Sequence, residues 1–116
     1  MINLVGSLAE REALAKRLAG ELERVFSEPT ATAAQLSFVL RGAVERTMGA
    51  RLEVPYVCRG FSLVLLTEDR VVISVYSFRE EERVDWGALA REILADIEEF
   101  TGARVAEVAL KAAARP

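Results

Sequence analysis

"FSLVLLTEDRVVISVYSF", residues 61–78, sets two apolar runs on either side of one polar tetrapeptide, Thr67-Glu68-Asp69-Arg70. Runs of this length, rich in β-branched and aromatic residues and separated by a turn signal, read as a β-hairpin. Side chains in a strand alternate between faces, so the pairing register decides which of them enter the core. The register that makes one face wholly apolar sets Leu65 opposite Val71, Leu63 opposite Ile73 and Phe61 opposite Val75. A three- to five-residue loop around Glu68-Asp69 then closes the hairpin. The other face carries Ser62, Ser74, Val64, Val72, Leu66, Tyr76 and Phe78. A sheet face turned to water is normally polar, and two serines do not make this one so. Either a helix covers it or it is a contact surface for another copy or another protein.

Outward from the hairpin, the flanking segments read as one strand and three helices. "RLEVPYVC" alternates Leu52, Val54, Tyr56 and Cys58 against Arg51, Glu53 and Pro55. Pro55 has no N–H to donate to a ladder, which suits an edge strand. Ser7 and Glu10 form a capping box before a stripe of Leu14, Leu18, Leu22, Val25 and Phe26, and Pro29 stops that helix. A second box, Thr32 with Gln35, opens a helix with Leu36, Val39, Leu40, Ala43, Val44 and Met48 on one side and Gly49 as its stop. Phe38 lies off that stripe, either beneath a neighbouring helix or as an exposed aromatic anchor. Asp85 caps a third helix with an apolar face of Trp86, Leu89, Ala90, Ile93, Leu94, Ile97 and Phe100, and Gly102 is its stop. The tail "ARVAEVALKAAARP" fits a helix or a strand, and Val105 and Val108 tip it toward a strand ending near Lys111. The expectation is one α+β domain spanning residues 1–116, order ααβββαβ, with a mostly antiparallel sheet.

Composition narrows the chemistry. The chain has no histidine, hence none of the commonest general base, metal ligand and pH switch. Its single cysteine, Cys58, excludes an internal disulfide and a cysteine zinc site, and it reads as a small buried hydrophobe. A net charge of -3 and only two lysines, Lys16 and Lys111, argue against nucleic acid. An α+β domain of this size invites comparison with KH domains, but no Gly-x-x-Gly loop occurs here. No apolar run approaches the roughly 20 residues of a membrane span, and the N-terminus lacks a signal h-region, so a cytoplasmic protein with no direct membrane insertion is expected. Glu80, Glu81, Glu82 and Asp85 are the densest acidic cluster. The run does not fit an EF-hand and contains Arg79 and Arg83, so a solvated loop leading into a helix is the better account. No catalytic, cofactor-binding or metal residues are expected.

The C-terminal half, "LTEDRVVISVYSF" followed by "WGALAREILADIEEFTGARVAEVAL", resembles the alkaline-shock-protein family of bacterial envelope-stress proteins. The resemblance covers residues 32–112 and rests on Thr101-Gly102 followed by Val105, Glu107 and Val108. It implies a hairpin, an amphipathic helix closing at Thr-Gly, a Val-rich strand, and a non-enzymatic protein of envelope homeostasis. The family's Val-Pro-Gly-Val turn is missing, and residues 7–27 stand as an extra, peripheral helix. The functional expectation is a small interaction or assembly module, self-associating or bound to a protein partner through Phe38, Val64, Leu66, Val72, Tyr76 and Phe78. The alternative is a domain binding a small molecule or divalent ion through loop 80–85.

Overall fold

Capped, striped segments become three helices on one face of an antiparallel sheet. The computed structural model describes residues 7–27, 33–44, 49–57 and 59–114. Its elements are α1 (Leu8–Ser27), α2 (Ala33–Ala43), β1 (Ala50–Glu53), β2 (Tyr56–Val57), β3 (Gly60–Thr67), β4 (Val72–Arg79) and α3 (Trp86–Ala114). The class is α+β. Pro29, Thr32, Met48 and Cys58 lie outside the described residues.

Two of the three expected caps are described, and both form. The Glu10 N–H donates to Ser7 Oγ at 3.1 Å, and the Ala88 N–H donates to Asp85 Oδ1 at 3.1 Å. Each satisfies a donor that the first helical turn leaves without an intrahelical partner.

β1 and β2 are two pieces of one edge strand in a single register against β3. Glu53 faces Val64, the Pro55 carbonyl accepts from the Ser62 N–H at 3.2 Å, and Tyr56 faces Phe61. Val54 and Pro55 interrupt the ladder where proline lacks its donor. With β4 on the other side of β3, the sheet is an antiparallel meander.

α2 packs on β1, α3 on β4, and α1 against both helices. α1 and α3 run antiparallel, since Arg11 pairs with Glu98 at one end and Phe26 stacks on Trp86 at the other. Leu18 and Leu22 of α1, Leu36 and Leu40 of α2, Leu52, Leu63 and Leu65 of the sheet, and Ile93 and Ile97 of α3 close one contiguous core. The N-terminal helix is therefore part of the core, not a peripheral addition. Its stripe has no water-free surface to occupy except the gap between α2 and α3.

Two further expectations fail, each for a physical reason. The tail is not a strand: α3 continues through Gly102 to Ala114. A helical glycine costs only about 1 kcal/mol relative to alanine. The following alanines, glutamate, leucine and lysine are strong helix formers, and no proline interrupts them before Pro116.

The hairpin register also differs. Thr67 closes the turn, donating its N–H to the Val71 carbonyl at 2.9 Å and accepting from the Arg70 N–H at 2.9 Å, with Arg70 at φ 64°. The register then slips between Leu65 and Leu66, where Leu66 faces Val72 but Leu65 faces Ser74. This β-bulge leaves Ile73 as the extra residue and exchanges the two faces of β4 beyond it. Ser74, Tyr76 and Phe78 therefore turn toward the helices, while Val75 and Ser77 turn away.

Gly60 opens β3 opposite Arg79, where a Cβ would overlap the Phe78 carbonyl oxygen. Backbone, not a flexible side chain, must yield there. Gly60→Ala is expected to lower stability by about 1–3 kcal/mol in urea unfolding. A melt unchanged from wild type would disprove the close approach.

Candidate interaction surface

The core lies on one side of the sheet only. On the other, by strand alternation, are Arg51 and Glu53 of β1, Ser62, Val64 and Leu66 of β3, and Val72, Val75 and Ser77 of β4. Val72 and Val75 are 55% and 56% exposed, and neither belongs to the core. Ser62 and Ser77 face each other with their hydroxyls 3.2 Å apart. No described helix lies over this face.

The face has two halves. Leu66 is buried yet stands outside the contiguous core, so its cover comes from the outer side. Glu53 Oε1 there meets Arg70 at 3.3 Å and Arg51 at 3.6 Å, and Arg51 is the cross-strand partner of Leu66. The stems of such arginines shield apolar surface while their heads stay wet. The other half, from Val64 to Val72 and Val75, has no such cover.

The sequence-derived contact residues thus divide. Val64 and Val72 are on the open face, and Leu66 is on it but capped by charge. Tyr76 and Phe78 are not, because the bulge turns them inward. Tyr76 donates from its hydroxyl to Asp96 of α3, and Ser74 Oγ donates to the same carboxylate at 2.9 Å. Burial pushes the Tyr76 phenol pKa well above its ordinary value. The bond to Asp96 adds to that and the bond to Ser74 opposes it. Phe78 joins an aromatic cluster in which Phe61 stacks on Phe26 at 3.9 Å, Phe26 on Trp86 at 5.1 Å, and Phe61 meets Phe78 at 5.1 Å. These four rings come from α1, β3, β4 and α3 and close one end of the core. Sequence reasoning missed the cluster because each ring ends its own stripe and nothing local links them. Val75, expected inside, takes a place on the open surface, and Val71, also expected inside, is exposed at the turn opposite Thr67.

Phe38 is the exposed alternative realised: it stands 71% exposed on α2. It borders a groove of about 540 Å³ beside β1, with Ser37, Arg41, Arg51, Leu52, Glu53 and Glu68. Arg41 pairs with Glu68 at 2.9 Å, so the groove's charges are already engaged with one another.

The acidic loop does not assemble into a centre. Asp85 serves as the α3 cap, and Glu80, Glu81 and Glu82 are exposed. Among the described residues no three or more metal-ligating side chains converge. Nor is any helix among them long and apolar enough to cross a membrane.

Fold and surface together define a small α+β protein with a one-sided helical layer and an open, valine-bearing sheet face. Comparison with protein-family models, with curated proteins and with solved structures found no match.

Proposed function

We propose that the protein is a small non-enzymatic interaction module that self-associates through its open sheet face. The observation that carries this reading is the exposure of Val72 and Val75 beside Val64 on a face that water would otherwise keep polar. The resemblance of residues 32–112 to the alkaline-shock proteins would point the same way, toward an assembly protein of the envelope-stress type, but α3 runs on through Thr101-Gly102 where that resemblance implied a helix end and a strand.

The size of the face sets the expected strength. Eight-residue strands at about 3.4 Å per residue, three abreast at about 4.8 Å, make a face of about 400 Å². Two such faces bury about 800 Å², below the roughly 1,200 Å² of a standard stable interface. The association is therefore expected to be weak and concentration-dependent, with a Kd in the range of about 10 μM to 1 mM. Light scattering over that range should show the mean mass rising in the wild type and not in Val72→Asp or Val75→Asp. A mass that stays monomeric throughout, or a rise that both variants share, rejects the reading.

A further inference from the structure

We infer that the free edge of β4 accepts an extended, basic strand from another protein. The inference concerns a different surface from the open face and does not need self-association through it.

The sheet has two edges, and only one is closed. On the β1–β2 side, α2 packs against the strand, Pro55 interrupts it, and Arg51 and Glu53 place charges along it. These are the usual protections against strand addition. β4 has neither proline nor lysine, and its bulge at Ile73 and its Arg79 lie at the two ends, outside the stretch 74–78. Its outward groups follow from the ladder: the Glu80 N–H donates to the Arg59 carbonyl, so the even-numbered residues back to Ser74 bond β3. The N–H and C=O of Val75 and Ser77 therefore point away from the sheet, and no described residue bonds them. They can be satisfied by water or by a strand laid alongside.

α3 selects between partners. Arg91 and Glu98 reach Glu12 and Arg11, so that flank of α3 faces α1. Glu92, Asp96 and Glu99, four and three residues apart, share the other flank. Asp96 lies above β4, since Ser74 and Tyr76 both donate to it, and Glu92 is close enough to act electrostatically on the Tyr76 phenol. An acidic row thus overhangs the free edge. Two copies joined β4 to β4 would bring two such rows together and repel. A strand with lysine or arginine at alternate positions would place its charges under the row. Its apolar positions would then extend the face of Val75 and Val72.

The test uses the intact protein and a fluorescent peptide of about eight residues alternating valine with lysine. Anisotropy at low salt should give a Kd of about 10–100 μM, weakening at least about 10-fold in the Glu92→Lys/Glu99→Lys variant, whose changes are both at exposed positions. N-methylation of the valine amides or of the lysine amides should abolish binding in one set only, because one set faces β4 and the other faces away. This control leaves the protein unaltered. Equal binding of a Val-block, Lys-block peptide, or insensitivity to both N-methylated sets, shows charge attraction alone and overturns the proposal. So does a β4-to-β4 dimer, seen as protection of the Val75 and Ser77 amides from hydrogen exchange when the protein alone is concentrated. Loss of light-scattering association with peptide binding intact would reject the self-association reading alone.

Discussion

Replacing Arg11 by alanine is expected to cost about 3–5 kcal/mol of folding stability. Arg11 Nε meets Glu98 Oε1 at 2.8 Å, and the Glu98 side chain is only 4% exposed. The pair joins the first turns of α1 to the middle of α3. Removing the guanidinium leaves a carboxylate with little access to water, and the penalty is the desolvation of an unpaired charge rather than the small net worth of the bond. Urea unfolding should show a lower midpoint with little change in slope, since the folded core is otherwise kept. Arg11→Met with Glu98→Leu should recover most of the loss, because the buried charge goes with its partner. A single variant that melts as wild type would show the carboxylate to be hydrated after all. The contrast is with Arg41 and Glu68, both more than half exposed, whose separation should cost no more than about 1 kcal/mol.

What the chain reveals by inspection is what local chemistry decides. Ser7 and Asp85 announce helix starts because their side-chain oxygens reach a backbone N–H three residues on, and both do so. Leu18 and Leu22, Leu36 and Leu40, Ile93 and Ile97 are legible from periodicity alone, since a stripe at helical spacing has to be buried. Pro55 marks the edge strand correctly because a missing donor is a property of one residue. The bulge at Ile73 is different in kind. No glycine or proline marks it, and the unbulged register offers Ile73 and Val75 to the core. The observed register keeps Ile73 packed against the core and offers Tyr76 and Phe78 in place of Val75. It buries larger rings, and it finds in Asp96, twenty residues away, the acceptor that the phenol needs. That competition is settled by tertiary partners, which a hairpin read alone does not contain. The tail fails for a related reason: Gly102 is a common helix stop but not an obligatory one. The open face was legible as too apolar for water, though two of its five named sheet residues, Tyr76 and Phe78, belong inside and Val75, read as core, stands on it.

Those exchanged faces give the second large effect. Tyr76→Asp and Val75→Asp are adjacent substitutions of the same type, and their outcomes should differ by more than about 3 kcal/mol. At Val75 a carboxylate enters water on the open face, and the change is expected to cost less than about 1 kcal/mol. At Tyr76 the ring leaves a core position that is 8% exposed, and a second carboxylate arrives beside Asp96. The lost packing alone is worth about 3–5 kcal/mol, and like charges in a partly dry site add to it, so the variant should be largely unfolded by circular dichroism. Tyr76→Phe separates the ring from its hydroxyl. It keeps the packing, leaves Asp96 with Ser74 alone, and should cost about 1–2 kcal/mol. It also carries a sign in pH. Because the folded protein holds the Tyr76 proton more tightly than the unfolded chain, stability supplied by that group is complete below about pH 10 and declines as pH rises further. The Phe variant should lose less stability above pH 10 than wild type does. Equal alkaline slopes, or a folded Tyr76→Asp, would return Tyr76 to the solvent side of the sheet.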